Sequence, residues 1–239
     1  MRTLGLWRFP LVTAVVFGVT ALSNVAQFVV PGMLAHLGRA PAGLHGDWWR
    51  TGTSLFVQDG GVAGTVSNLL FLVLVGVVAE QVVSRPRWLL CYFATGLVGE
   101  FAGYAWQPHG GGNSVAVCGL AGAVAVALWR GDGRPPRFAP MIVLLWCGAL
   151  LAGLWFPLAL VGFVAAMAAR IAAERGVATG RWATAGALAA GVALTADRDI
   201  HGVALLAGLV IASVLVRSVR RLPVPPDLTS YTANRYLYG

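Results

Sequence analysis

Gly110-Gly111-Gly112-Asn113-Ser114-Val115-Ala116-Val117-Cys118-Gly119 sets a serine at the start of an apolar helix, one residue after three glycines. Much later, Asp199-Ile200-His201-Gly202-Val203-Ala204-Leu205-Leu206-Ala207-Gly208 sets a histidine at the start of another. Neither stretch is distinctive alone. Together they put a nucleophile and a base at matching depth in a helical bundle, provided the two helices run in the same direction. That condition depends on how many spans lie between them.

Composition identifies the solvent. Hydrophobic residues make up 58% of the chain and charged residues only 11%, and the mean hydropathy is +0.75. A chain of this kind is satisfied in lipid, where backbone groups must bond within helices or closed barrels. The apolar runs are long and do not alternate, so the fold class is an all-α polytopic membrane protein. Arg2 and Arg8 precede an apolar stretch in the manner of a signal peptide. The stretch from Pro10 to Leu34 is long for a signal core and carries no convincing cleavage site, so an uncleaved first span is expected.

Spans are predicted over 10–31, 61–84, 87–106, 113–129, 140–154, 156–173, 182–196 and 199–217. Segments 140–154 and 182–196 fall short of the ~20 residues that cross a hydrocarbon core. Trp155-Phe156-Pro157 suits either a kink or a turn. Arginine distribution tests the count, because basic residues in short loops are retained on the cytoplasmic side. All 17 basic residues are arginine. With eight spans and both termini inside, Arg39, Arg50 and Arg198 alone lie outside. Merging 140–173 into one helix would move Arg170, Arg175 and Arg181 outside and reverse the histidine helix. Three spans between Ser114 and His201 therefore fit better, and both residues then lie a little below the outer surface. The net charge of +8 is this topology signal, and no nucleic-acid partner is expected. The division is a transmembrane domain over 1–221 and a flexible cytosolic tail over 222–239, marked by Pro223, Pro225 and Pro226.

Other polar and small residues have plainer readings. Cys91, Cys118 and Cys147 all fall within spans and read as buried thiols. His36, His45, His109 and His201 lack ligand-like spacing, so no metal is expected. Gly119, Gly122 and Ala123 on the serine helix, with Gly202 and Gly208 on the histidine helix, permit close backbone approach. The glycine run 110–112 is expected to be a flexible outer connection allowing tight turns. Trp48, Trp49 and Arg50 suit an interfacial outer loop. Glu80 is expected to face Arg85 or Arg87 at a helix end. Glu100 either lines a water-filled access or is exposed at the outer end of its span. Asp197 and Asp199 are expected to solvate the turn around Arg198. Two residues before the histidine at a helix start, Asp199 should point away from the ring, with a triad role as the alternative.

The order and sidedness of these elements resemble the rhomboid intramembrane serine proteases. The resemblance begins at Asp47-Trp48-Trp49-Arg50-Thr51, which is similar to the family's Trp-Arg element, and continues through Ser54-Leu55-Phe56. It includes Asn68, Gly76 and Glu80, the stretch Arg87 to Tyr92, Gly112 to Gly122, and His201-Gly202 with Gly208. It covers roughly 47–122 and 199–210, and the residues between carry no family signal. It implies a rhomboid-like helical bundle of six core spans, with two extra spans between the serine and histidine helices. It also implies a Ser114–His201 dyad without an acidic third member, and an oxyanion site from the Ser114 N–H and Asn68. The plainer reading of Asn68 is a polar residue pinning helix to helix.

Four positions depart from the family pattern. Val115 follows the serine where the family places glycine, and Cys118 stands where an aromatic packs on the histidine. Gly64 replaces the oxyanion histidine one turn before Asn68, and Gln58 replaces a further histidine. Two readings follow. One is an intramembrane protease that cleaves single-span membrane proteins near the outer face, with Ser114 as nucleophile, His201 as general base and acid, and no cofactor. The other is a catalytically inactive rhomboid-like protein that binds transmembrane helices. The partners are transmembrane segments and the lipid bilayer, and the expected location is a bacterial inner membrane.

Overall fold

A computed structural model describes residues 8–131 and 135–215. The chain runs α1 (Leu11–Val29), α2 (Met33–Leu37), α3 (Arg50–Thr53), α4 (Gly61–Val82), α5 (Arg85–Trp106), α6 (Ser114–Arg130), α7 (Ala139–Leu151), α8 (Pro157–Glu174), α9 (Gly180–Ala196) and α10 (Ile200–Leu215). Two short 3₁₀ turns, Pro41–Leu44 and Ser54–Phe56, flank α3. The tail expected over 222–239 lies outside the described residues. The eight longer helices fall on the eight expected spans, with ends displaced by a few residues. By length and composition, α1, α4 and α8 are each long and apolar enough to cross a membrane. The apolar helices α6, α7 and α10 are shorter, down to 13 residues in α7, about 20 Å of helix.

The serine helix is the axis of the bundle. Every residue of α6 from Val115 to Ala127 is buried, and α6 packs against α4, α5, α7, α9 and α10. Its small side chains explain how so many neighbours fit. A Cβ added to Gly122 would lie 2.7 Å from the Leu209 backbone N, and one added to Gly208 would lie 2.8 Å from the Gly119 Cα. Backbone therefore meets backbone where α6 crosses α10, as the glycine pattern predicts. Arg130 at the carboxyl end of α6 donates to Ser213 O near the carboxyl end of α10 at 2.8 Å, so the two helices run parallel, with both amino ends at one end of the bundle.

Between α7 and α8 the chain turns back. Trp155 and Phe156 occupy the turn, and Pro157 begins α8, where its missing N–H is no loss. Gly148 and Gly162 let the pair close, since a Cβ on Gly148 would lie 2.7 Å from the Gly162 Cα. Segment 140–173 is thus an antiparallel hairpin. Helix α8 buries only Ala166 and Ala169 and leaves Val161, Phe163 and Val164 uncovered, a surface that suits lipid tails.

Glu80 does more than face an arginine. Its carboxylate is 3.7 Å from Arg85 Nε, but it accepts the Thr13 N–H and Thr13 hydroxyl at 2.8 Å each and the Val12 N–H at 3.2 Å. It satisfies the unpaired amides that open α1, where a negative charge is also favoured. Glu80 therefore ties α1 to α4 at the end of the bundle opposite Ser114.

Candidate active site

Ser114 and His201 meet. Ser114 Oγ is 2.9 Å from His201 Nε2, at the adjoining amino ends of α6 and α10. Asn113, the N-cap of α6, makes no side-chain capping bond, so the Ser114 amide is one of the helix-opening N–H groups without an intrahelical partner. A cleft of about 300 Å³ opens over the pair, with Gln58, Asn68, Glu100, Trp146 and Leu150 in its walls.

The segment leading into Ser114 is pinned. Gly110 N–H donates to Arg39 O at 3.2 Å and Gly112 N–H to Ser54 O at 2.9 Å, while Gly111 N–H donates to Asp59 Oδ2 at 3.3 Å. The expected flexible connection is therefore a run of anchored amides. Glycine is needed there for approach: a Cβ on Gly112 would lie 2.6 Å from Gln58 Oε1, 3.3 Å from Asn68 Nδ2 and 3.4 Å from Ser114 Oγ. Three polar groups converge on the bare face of one residue.

Arg39 and Glu100 hold this loop from behind. Their side chains are 2% and 1% exposed and form an ion pair between Nη1 and Oε2. Arg39 Nε also donates to Gln107 O at 2.9 Å. Of the two readings of Glu100, exposure at the outer end is overturned, because the residue is buried and paired at the wall of the cleft. Arg50 works in the same way, donating to Ala35 O at 2.8 Å and Gly38 O at 3.1 Å while its neighbour Trp48 stays exposed.

On the far side of the cleft, Asn68 Nδ2 donates to Gln58 Oε1 at 2.8 Å. The absence of a side chain at position 64 is filled by Gln58, since a Cβ on Gly64 would lie 2.7 Å from Gln58 Nε2. Gln58 is itself fixed to α1: its N–H donates to Gln27 Oε1 at 2.8 Å, and its carbonyl accepts from Gln27 Nε2 at 2.7 Å. Val115 is accommodated as well. Its Cγ1 fills the space above Gly99 on α5, so its bulk points into a packed interface. Cys118 is buried and free, as are Cys91 and Cys147.

The expectation for Asp199 fails. Asp199 Oδ1 lies 2.6 Å from His201 Nδ1 and accepts the His201 backbone N–H at 2.9 Å. The helical direction rule does not apply, because Asp199 is not helical; it precedes Ile200 in the N-cap position. An aspartate at the first position of the expected span 199–217, where a helix cap belongs, was the available signal. A neutral imidazole with its proton on Nδ1 satisfies both contacts: Nδ1–H donates to Asp199, and Nε2 accepts the Ser114 hydroxyl. Among the described residues, no group of three or more His, Cys, Asp or Glu gathers where it would hold a metal ion.

Comparison with known proteins identifies the family. A family model described as a rhomboid domain matches residues 45–218, including the stretch between α6 and α10 for which no family signal was expected. The rhomboid protease GluP of Bacillus subtilis (strain 168) is 35% identical over 80 residues, which are 33% of this chain and 16% of that protein. The match thus spans about a sixth of the relative's length. No solved structure matches. With the family model covering well over half of the sequence, the chain belongs to the rhomboid family.

Proposed function

We propose that this protein is an intramembrane serine protease that hydrolyses peptide bonds of single-span membrane proteins, using Ser114 as nucleophile and His201 as general base and acid. The observation that carries the proposal is the 2.9 Å contact between Ser114 Oγ and His201 Nε2, at the mouth of a cleft that Asn68 also lines. Ser114 attacks the scissile carbonyl carbon as its hydroxyl proton passes to His201 Nε2. The oxyanion is held by the Ser114 N–H and the Asn68 amide, whose second N–H remains after the bond to Gln58. The protonated Nε2 then gives its proton to the departing amine. Water, deprotonated by the same nitrogen, releases the acyl group. A peptide bond in a regular helix is shielded, so the substrate is a transmembrane helix that unwinds locally.

The catalytic end of the bundle is read as the outer one. Arg8, Arg85, Arg87, Arg130, Arg170, Arg175 and Arg181 all lie toward the other end, which suits the cytoplasmic side. Both termini are then cytoplasmic, and a bacterial inner membrane is the setting proposed. A second reading, an inactive protein that binds transmembrane helices, draws on Gly64 and on the engagement of Asn68 by Gln58.

The test is cleavage of a single-span reporter by purified protein in liposomes, beside Ser114→Ala and His201→Ala. Cleavage by the wild type, with each variant losing about 10⁴-fold or more, is expected. If all three are equally inert across several reporters yet still bind a transmembrane helix, the binding reading replaces the protease.

A further inference from the structure

We infer that Asp199 is a positioning residue for His201: its carboxylate holds the imidazole with the proton on Nδ1 and with Nε2 turned to Ser114. The role in turnover rests on the protease reading above, whereas the coupling between the two side chains does not. The resemblance implies a dyad without an acid, so this third member comes from the geometry of this chain.

The backbone gives Asp199 little choice of position. Helix α9 closes with Arg198 N–H donating to Thr195 O at 3.0 Å and Asp199 N–H donating to Leu194 O at 2.9 Å. That pair of bonds forms a Schellman motif, whose left-handed position falls on Arg198 with φ of 61°. Among the described residues, Arg198 is the one non-glycine with positive φ. Asp199 also opens α10: its carbonyl accepts the Gly202 N–H at 3.1 Å, and its Oδ1 accepts the His201 N–H at 2.9 Å. The end of one helix and the start of the next are thus both fixed through one residue, and its carboxylate is delivered to the ring.

The chemistry follows from the two ring nitrogens. Locking the proton on Nδ1 keeps Nε2 free to accept from Ser114. As Ser114 attacks, its proton moves to Nε2 and the ring becomes a cation. The Nδ1–H bond to Asp199 is then charge-assisted, and the carboxylate itself takes no proton. Arg39, Asp59, Glu100 and His109 share the cleft with His201, and Asp197 and Arg198 precede Asp199 in the turn. Arg39 and Glu100 are paired with each other, whereas Ser114 and Asp199 are the side chains bonded to the ring.

The competing account is that Asp199 only caps α10. Asparagine and serine cap helices about as well as aspartate but carry no charge, so Asp199→Asn and Asp199→Ser separate the two roles. ¹⁵N NMR of the His201 ring in the full chain in detergent, which reads the tautomer, is the primary measurement. Both variants should show a mixture of tautomers in place of the single Nδ1–H form. With a reporter substrate, kcat should fall by about 10²-fold with KM unchanged. A ring still wholly in the Nδ1–H form in either folded variant overturns the inference. A wild type that cleaves nothing while its His201 tautomer still depends on Asp199 sinks the protease reading and leaves the coupling standing.

Discussion

The two walls of the cleft are built differently. On the nucleophile side, the supporting bonds run to backbone or to a buried charge. Ser114 follows three anchored glycine amides, Arg39 and Glu100 brace the loop, and both His201 nitrogens are engaged. On the oxyanion side, Asn68 is held by one long side chain, Gln58, which also covers the place left empty at Gly64. The departures from the family pattern that bear on the oxyanion, Gly64 and Gln58, sit on this second side. Where bonds run to backbone, the arrangement tolerates little change. Where one amide supports another, a missing side chain at 64 has been met by one from six residues' distance.

The nucleophile side should therefore be the more costly one to disturb. Arg39→Ala leaves the Glu100 carboxylate buried without its partner, and losing one member of a buried pair costs about 3–5 kcal/mol. Thermal unfolding should drop accordingly, with proteolysis lost in parallel as the glycine run is released. Replacing both residues by leucine should recover much of the unfolding temperature, because no buried charge is then left alone. If Arg39→Ala melts with the wild type, the ion pair is not what braces the loop.

Asn68→Ala comes next, and it should strike rate before stability. One oxyanion donor is worth about 2.7–4 kcal/mol, or roughly 10²–10³ in kcat. The helix-pinning reading makes the opposite forecast, a lower unfolding temperature with kcat little changed in the fraction that stays folded. Measuring both quantities on one preparation separates the two.

The sequence shows the bundle well because lipid leaves few solutions. Long apolar runs must be helices, arginines sort by side, and three spans between Ser114 and His201 bring their ends together. The α6–α10 crossing was legible too, since glycine at 119, 122 and 208 permits contact that larger residues forbid. What stayed hidden depends on partners far apart in sequence or on backbone that is not helical. Arg39 and Glu100 are 61 residues apart, and nothing local announces their pairing. Asp199 stayed hidden because helical geometry does not extend to the residue before the helix begins. Gln58 was visible only as a missing histidine, and its role emerges once Gly64 and Asn68 lie beside it.

Val115 offers a packing test of the nucleophile wall. Its Cγ1 occupies the notch at Gly99, and a Cβ there would also lie 3.2 Å from the Ala204 Cβ. Gly99→Ala should therefore destabilise by about 1–3 kcal/mol through overpacking. Adding Val115→Ala should return most of that, since the colliding methyl is removed. Failure of the second change to rescue the first would mean that α10, through Ala204, is what the new methyl displaces.

Gln58→Ala should have the smallest effect. The hydrogen bond to Asn68 is worth about 1 kcal/mol, so kcat should fall about fivefold. Gln58 is also fixed by two backbone bonds to Gln27 that the substitution leaves in place, so the loop should keep its path. If Gln58 acts only by orienting the Asn68 amide, the fivefold loss should vanish in an Asn68→Ala background, and the double-mutant cycle should give a coupling equal to the single effect. A loss that persists without Asn68 would mean that Gln58 meets the substrate itself. The oxyanion side would then be a pair of amides, each in contact with the reacting group, rather than one amide supported by another.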